Sequence, residues 1–424
     1  MKVSRAYRVE LDPNDVQRTA LLRHAGAARW AYNWGLRRKI DAYRETGKSP
    51  SAIDLHRELN VLKKVPKEEG GCPWAYETSK CAMQEALRDL DRAFANFYRR
   101  CREKKAGRKG FPRFKSRKRG IGGFRLTGTI WASKTSVQLP RIGSIRLKEA
   151  GYLPTSERKG VRVLSASVTE RAGHWFVALS VEEDRSNPPT PDDRVLGVDV
   201  GVLNLATLSD GTVFENPRAL KGAEDRLKRL QRSVSRKVKG SNNRRKAVQR
   251  LARQHYRVSN IRRDAIHKAT STAIAKRPAA IGIETLNVSG MMGNHNLAKA
   301  LSDASMAEFL RQIGYKATWA GIPVFRANRW YPSSRRCSVC GLVKDRLDLG
   351  EREFACEGCG VVEDRDLNAA LNLEEVAREG LAASSAVTAC GAESAGRGPS
   401  IPTKLPAMKQ EPSTGTRTPC PCLG

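Results

Sequence analysis

The sequence lacks the acidic residues that would balance its lysines and arginines. Among 424 residues, 44 Asp and Glu stand against 77 Lys and Arg, which leaves a formal charge of +33 at pH 7. Such an excess of one sign repels itself unless a polyanion neutralises it. We therefore expect nucleic acid as the partner of this chain. Its length and its 40% content of hydrophobic residues suit two or three globular domains.

Long apolar runs are also absent. No stretch reaches the roughly 20 apolar residues that a membrane-spanning helix requires. The first residues, MKVSRAYRVELDPND, lack the apolar segment and the small-residue cleavage site of a secretion signal. We therefore expect no membrane partner, a cytoplasmic location and reduced cysteines.

Two kinds of ligand-binding pattern are missing as well. The six histidines fall at no metal-ligand spacing with one another. Gly47-Lys48-Ser49 resembles the end of a phosphate-binding loop, but Ala42 stands where that loop needs a glycine. The sequence therefore gives no indication of ATP use.

Four cysteines, in contrast, have a diagnostic spacing. Cys337 and Cys340 form one CxxC pair, Cys356 and Cys359 form a second, fifteen residues separate the pairs, and a glycine follows each pair. Two such turns can present four thiolates to one Zn²⁺, with Zn–S distances of about 2.3 Å, and a closed site of this kind is structural. A redox role is disfavoured because two pairs are present and neither opens a βαβ helix. Iron–sulfur proteins space their cysteines more closely.

Hydrophobic periodicity divides the chain into regions. Residues 1–11 alternate as a strand, residues 16–45 and 77–102 have helical spacing, and short strand-like runs fill residues 121–183. The proline-rich segment 186–191 predicts a linker, and a new domain of apolar strands and long basic helices follows it. Residues 381–424 lose periodicity, so we expect a disordered tail.

Three acidic residues stand out from their surroundings. Asp199 is the only charge within the apolar run 195–200, and Glu284 ends the apolar run 279–283. A third acidic turn, with Asp364 and Asp366, opens an Ala- and Leu-rich helix. Each acid alone is compatible with an ordinary strand end or helix N-cap. Together they suggest oxygen ligands for Mg²⁺ or Mn²⁺, which could act on a phosphate ester.

Two basic segments are candidates for nucleic-acid contact. A helical region after residue 225 carries many cations and few acids, which favours phosphate binding over an ordinary solvated face. A loop at 104–120 interleaves cations with aromatic rings that could stack bases or could equally anchor the loop. The candidate contacts are Lys109, Phe111, Arg113, Phe114, Lys115, Arg229, Arg232, Arg236, Lys237, Arg244, Arg245 and Arg250.

These motifs together resemble the TnpB family, the OrfB-type proteins of bacterial insertion sequences and relatives of the type V CRISPR effectors. The segments that carry the resemblance are GVDVGVLNLATLSDG (197–211), IGIETLNVSGMMGNHNLAKALSDASMAEFLRQIGYKATWAG (281–321), RWYPSSRRCSVCG (329–341) and CEGCGVVEDRDLNAALNL (356–373). They follow the family's order and spacing. The resemblance extends over roughly residues 1–375 and is sharp from residue 195 onward.

The resemblance implies a multidomain α+β fold. A wedge-like β-barrel would comprise residues 1–15 and 106–185, with a helical recognition domain inserted at 16–105. An RNase H-like (RuvC) nuclease would comprise residues 192–332 and 362–380, with a Cys₄ zinc ribbon inserted at 333–361. The family's catalytic acids would be Asp199, Glu284 and Asp366, with Asp364 as the alternative to Asp366.

By the same resemblance, the expected function is an RNA-guided, metal-dependent DNA endonuclease of a transposable element. Guide RNA and target DNA would be its partners, zinc its structural ion, and Mg²⁺ or Mn²⁺ its catalytic ion. Two alternatives remain open at this point: a non-catalytic regulator of transposition that binds DNA or RNA, and a transposase that joins DNA strands. The oligomeric state is not specified by the sequence.

Overall fold

The computed structural model describes residues 2–103, 110–184, 192–348 and 350–391, except for the side chains of residues 119 and 385–391. Lys109 and residues 392–424, which carry a predicted contact and most of the predicted tail, lie outside this description. The described chain has mixed α/β content and forms two large hydrophobic clusters with separate sheets.

The first unit begins with a strand and three helices. These are β1 (Lys2–Asp12), α1 (Asp15–Thr46), α2 (Ala52–Leu62) and α3 (Lys80–Arg102). Helix α1 begins where Asn14 and Gln17 cap each other's backbone N–H groups. It ends at Gly47, whose φ of 67° suits glycine better than any other residue. The strand predicted over residues 1–11 and the helices predicted over residues 16–45 and 77–102 are confirmed as β1, α1 and α3.

Six more strands complete the first unit: β2 (Gly123–Leu126), β3 (Trp131–Ala132), β4 (Ser136–Leu139), β5 (Gly143–Leu147), β6 (Val161–Arg171) and β7 (His174–Asp184). They form an antiparallel sheet with β1, in the order β2-β6-β7-β1-β5-β4-β3. Buried residues of α1–α3 and of this sheet form one continuous cluster. The predicted helical and wedge-like regions thus share a core.

The second unit is built on a smaller sheet. Its strands are β8 (Val195–Asp199), β9 (Asn204–Leu208), β10 (Val213–Glu215), β11 (Ala280–Ile283) and β12 (Val324–Arg326), in the order β10-β9-β8-β11-β12. Strands β8, β11 and β12 are parallel to one another. All residues of β8 and β11 are buried, which explains why they read as continuous apolar runs.

Five helices follow in the second unit, of which α5, α7 and α8 share a buried cluster with its sheet, and a small hairpin comes after them. The helices are α4 (Ala219–Ser235), α5 (Asn242–Ala275), α6 (Val288–Met291), α7 (His295–Ala304) and α8 (Met306–Ala320). The hairpin strands are β13 (Glu353–Ala355) and β14 (Val362–Asp364), and the last helix is α9 (Arg365–Gly391). Helix α9 continues past residue 380, where the tail was predicted to begin. Its run LAASSAV contains good helix formers that the low periodicity concealed.

Helix α9 lies directly against the backbone of the second sheet. A Cβ atom at Gly197 would stand 1.8 Å from the carbonyl oxygen of Ala370, and one at Gly282 would stand 1.8 Å from that of Leu373. Gly197 and Gly282 are partners in the β8–β11 register. The two glycines therefore form a side-chain-free strip across two strands, and only such a strip admits the helix this closely.

Within the described residues, no helix is both long enough and apolar enough to cross a membrane.

We expect Gly282→Ala to destabilise the second unit by about 2 kcal/mol or more, because its methyl group would collide with the α9 backbone. Hydrogen-exchange mass spectrometry of peptides from β8 and β11 would measure the loss of protection. Gly314→Ala is the matched control, since a Cβ there meets no atom within 4 Å. Gly314→Ala should leave the stability unchanged or raise it by at most about 1 kcal/mol. Equal protection in the two variants would contradict the close helix contact.

Candidate active site and metal centre

Two candidate acids leave neighbouring parallel strands at the same level. Val198 of β8 pairs with Ile283 of β11, so Asp199 and Glu284 follow at adjacent positions of the same sheet edge. The carboxyl ends of parallel strands are a common location for ligand sites in α/β sheets. The structure thus brings together two residues that are 85 positions apart in the sequence.

Asp199 is buried, with 8% of its surface exposed. Burial raises its pKa well above the usual value, and the negative charges of Glu284 and Asp366 raise that pKa further, while Arg365 opposes them. Among the described residues, no hydrogen bond contributes to lowering this pKa. A buried carboxylate without compensation is costly, and a bound cation would supply the missing partner.

Glu284 has one specific partner. Burial raises its pKa, whereas a hydrogen bond from Ser333 lowers it. The Ser333 hydroxyl donates to Oε1 of Glu284 over 2.7 Å. This contact fixes one carboxylate oxygen at the sheet edge.

The third acidic turn contains two carboxylates with different surroundings. Asp364 accepts the backbone N–H groups of Asp366 over 2.9 Å and of Leu367 over 3.0 Å, so it caps α9. Asp366 lies in the first turn of α9, is half-buried, and has a pKa raised by burial and by the charge of Asp364. The Asp364 carboxylate is thus engaged as a helix cap through its Oδ1, whereas the Asp366 carboxylate accepts no hydrogen bond from the described residues.

The packing of α9 places Asp366 at the same end of the sheet as Asp199. Asp366 precedes Ala370 by one helical turn, about 6 Å, and Asp199 follows Gly197 by two strand residues, about 7 Å. Ala370 touches Gly197, and Ala377 packs with Val195 and Ala280 at the opposite end of the strands. The helix therefore runs antiparallel to β8, which puts Asp366 and Asp199 at the same end.

The chemistry of this donor set fits a hard divalent cation. All three groups offer carboxylate oxygens, which suit Mg²⁺ or Mn²⁺ better than zinc or copper. The arrangement is open: among the described residues, only the four cysteines form a group whose ligand atoms all lie within 4.8 Å of one another. An open carboxylate cluster leaves room for waters and substrate oxygens around a cation.

The cysteine cluster is compact and symmetric. Sγ of Cys337 lies 3.7 Å from that of Cys359, and Sγ of Cys340 lies 3.5 Å from that of Cys356. Such S–S separations without a disulfide are those of ligands arranged around one tetrahedral ion. The cluster can therefore hold a metal.

The backbone of each CxxC turn has the same hydrogen-bond pattern. The N–H of Cys337 donates to Leu342 and that of Cys356 to Val361, each over 2.8 Å. Gly341 and Gly360 follow the pairs with φ of 78° and 72°, a conformation that favours glycine. Backbone hydrogen bonding at Cys359 helps to lower the pKa of the Cys356 thiol to about 6. Burial and the neighbouring thiols raise the pKa of the Cys359 thiol to about 12. Without an ion, Cys356 is therefore the thiol closer to the thiolate form that binds metal.

The basic residues of α4 and α5 divide into two groups. Arg229, Arg232, Arg236, Arg245 and Arg250 are exposed and form no ion pair with a described carboxylate, whereas Lys237 is half-buried. The guanidinium of Arg244 donates to the carbonyls of Val234 over 2.7 Å and Lys237 over 3.1 Å. It caps the end of α4, so it has a structural contact that the sequence prediction missed.

The basic loop also shows two kinds of contact. Phe111 packs edge-on against Phe94 and Phe97 of α3, with ring centroids 5.6 and 5.3 Å apart, so it anchors the loop. Arg113, Phe114 and Lys115 are exposed and border a cavity of about 310 Å³ next to α1. Phe114 remains available for stacking.

Three residues near the acids were missed by sequence reasoning: Ser333, Asn368 and Asn372. All three residues are buried, and their polar groups form hydrogen bonds with one another or with the loop before Cys337. The only signals were the four-residue spacing of the two asparagines and the position of Ser333 in the segment before Cys337.

Protein-family comparison matches three parts of the chain. Residues 1–48 match a "Helix-turn-helix domain" of OrfB proteins of the IS605 type, and residues 178–295 match a "Probable transposase" family of the same type. Residues 307–373 match the "Cas12f1-like, TNB domain" family.

Individual relatives span nearly the whole chain. A "Putative RNA-guided DNA endonuclease" of Streptomyces pristinaespiralis is 34% identical and covers 98% of each chain. A protein of the same description, InsQ of Escherichia coli K12, is 32% identical over 92% of this chain and 95% of its own. A cryo-EM structure of a Cas12f1–sgRNA–target DNA complex is 14% identical, with a TM-score of 0.47 over 88% of this chain and 99% of that one.

We expect Asp199→Asn to stabilise the protein at pH 7 in buffer without Mg²⁺ or Mn²⁺. The Asp199 pKa is raised in the folded state, so folded protein binds more protons than unfolded protein. Wild-type stability should then fall as pH rises above about 4, the value in the unfolded chain. Asparagine removes this dependence.

Urea unfolding at pH 4 and pH 7 would measure the difference, which should be largest at pH 7. Asp264→Asn is the control, because Asp264 is exposed and pairs only with Lys268 of the same helix. A stabilisation that is equal at both pH values would contradict the assigned cause.

Proposed function

We propose that this chain, which belongs to the OrfB family of IS605-type transposable elements (the TnpB family), is an RNA-guided endonuclease that hydrolyses DNA. Relatives described as RNA-guided DNA endonucleases support this, since they match more than nine-tenths of the chain. The observation that carries the proposal is the convergence of Asp199, Glu284 and Asp366, from three distant segments, at one end of the second sheet.

We assign the second sheet with α9 to the RNase H-like unit that the family implies, and the seven-stranded sheet to its wedge-like barrel. In this assignment Asp199, Glu284 and Asp366 hold the catalytic cations. When bound there, Mg²⁺ or Mn²⁺ supplies an activated water and stabilises charge on the leaving oxygen. The carboxylates keep their cations fixed because the strand ends and the first turn of α9 are rigid elements.

The exposed cations provide the second part of the function. Arg229 and Arg232 lie on α4, Arg236 directly follows it, Arg245 and Arg250 lie on α5, and all five are exposed. We propose that they bind phosphates of the guide RNA or the target DNA. Arg113, Phe114 and Lys115, which lie in the first unit, are further proposed contacts. Such contacts hold a backbone without reading its sequence. The sequence of the target would be read by base pairing with the guide.

We assign the ion of the cysteine cluster as zinc, in a structural role. Four sulfur ligands leave no open position for a substrate. Zinc would fix the hairpin β13–β14, from which Asp364 leads directly into α9.

Guided cleavage is the test of this proposal. We expect protein co-expressed with its flanking locus to co-purify with a discrete RNA and to cut DNA that matches this RNA when Mg²⁺ is present. Asp199→Asn should reduce cleavage at least about 100-fold because it removes a ligand charge from the transition state, whereas Asp264→Asn should cut normally.

Other outcomes of this experiment separate the alternatives. Discrete RNA without cleavage would indicate a regulator that binds nucleic acid, and joined DNA products would indicate strand transfer. The absence of a specific RNA would contradict guidance.

For the cysteine cluster, we expect one zinc per chain by elemental analysis and its loss in Cys356→Ser. In this variant the β13–β14 region should unfold at a lower temperature than in the wild type, because a bound ion would hold both CxxC turns together. Cys101→Ser is the control, since Cys101 lies on α3, outside the cluster. Full zinc content in Cys356→Ser would contradict a four-cysteine site.

A further inference from the structure

A short loop lies between the two candidate metal sites. It runs from Ser333 to Ser338, after β12, and contains the first cysteine ligand, Cys337. At its start, the Ser333 hydroxyl donates to Oε1 of Glu284 over 2.7 Å. The loop therefore touches the carboxylate site at one end and belongs to the cysteine cluster at the other.

Helix α9 holds the same loop through two asparagines. Asn372 Nδ2 donates to the carbonyls of Ser333 over 2.9 Å and of Arg336 over 2.7 Å. Asn368 Nδ2 donates to the carbonyl of Arg336 over 2.8 Å, and its Oδ1 accepts the N–H of Ser338 over 2.9 Å. Asn368 is 1% exposed and Asn372 is 3% exposed, and both lie on one face of the helix.

These contacts form one buried network around Cys337. Its two neighbours in sequence, Arg336 and Ser338, are both fixed by Asn368. The helix that provides Asn368 and Asn372 also provides Asp366 in its first turn. Glu284 and the cysteine cluster are thus connected through this network of hydrogen bonds, and Asp366 lies on the helix that anchors it.

A comparison of two serines on this loop indicates that the Ser333 contact is specific. Both hydroxyls are buried, but that of Ser338 has no hydrogen-bond partner among the described residues. Ser338 is therefore a serine of the same loop whose hydroxyl is not bonded to Glu284, which makes it a reference for Ser333. A hydrogen bond to a ligand carboxylate fixes its orientation, and loss of such a bond typically weakens metal binding.

We propose that Ser333 is a positioning residue that orients Glu284 for a divalent cation, and that its loop makes cation affinity depend on the occupancy of the cysteine cluster. The inference rests on the proposed function only in that the carboxylates bind a cation. Guided cleavage does not enter its test.

The test measures Mn²⁺ binding by calorimetry to zinc-loaded protein that has been freed of nucleic acid. Binding that disappears in Asp199→Asn defines the carboxylate site. Ser333→Ala should weaken this binding about 10- to 100-fold. Ser333→Thr, which keeps the hydroxyl, should bind within about threefold of wild type, and Ser338→Ala should match wild type.

Three results would overturn the positioning role: wild-type affinity in Ser333→Ala, equal weakening in Ser333→Thr, or equal weakening in Ser338→Ala. Circular dichroism and zinc content identify a variant that has lost its fold, and in that case Ser333→Thr decides the question. If Asp199→Asn loses no binding, the carboxylate site itself is wrong, which is a different failure from that of Ser333.

The dependence on the cysteine cluster has its own variant. Cys356 lies outside the loop, so Cys356→Ser leaves every side chain from Ser333 to Ser338 unchanged while it removes one ligand of the cluster. We expect this variant to weaken Mn²⁺ binding about 10-fold or more, with β8 and β11 still protected from hydrogen exchange. Unchanged affinity would overturn the coupling between the two sites.

Discussion

The site depends on the direct contact between α9 and the paired glycines of β8 and β11. Gly197 and Gly282 are register partners, and the carbonyls of Ala370 and Leu373 occupy the space that side chains would fill. This contact fixes both the distance and the level of the helix on the sheet. Because Asp366 is one turn from Ala370, the same contact brings the third acid to the two strand ends. A larger side chain on either strand would move the helix and separate the acids.

The charges of the molecule are arranged in two opposed sets. Cations dominate the exposed faces of α4 and α5, whereas at the sheet edge Asp199 is buried and Glu284 is half-buried. Arginines on the surface attract the phosphates of nucleic acid from a distance. The buried acids would repel those phosphates unless cations lay between them. Burial and the neighbouring acids both disfavour the charged form of Asp199, so the site without a cation is destabilised by its own charge.

Patterns with fixed local geometry were predictable from the sequence, whereas long-range packing was not. The spacing of Cys337 and Cys340 with their second pair predicted the compact cluster, and the alternation of residues 1–11 predicted β1. In contrast, the sequence left Asp364 and Asp366 as alternatives, because only the structure shows which carboxylate accepts backbone N–H groups. It also counted Arg244 among the nucleic-acid contacts, although this side chain caps α4. Both distinctions depend on three-dimensional contacts that residue type does not encode.

The position of the cysteine cluster in the chain has an energetic consequence for the acids. Residues 327–364 connect β12 to α9. Closing a flexible connection of this length costs at least about 3 kcal/mol of chain entropy, which opposes docking of the helix that carries Asp366. An ion bound by the cysteines would hold the central part of this connection together before α9 docks. The chain then has less entropy left to lose when α9 docks on the sheet. A structural ion outside the carboxylate site can in this way stabilise the geometry of the acids.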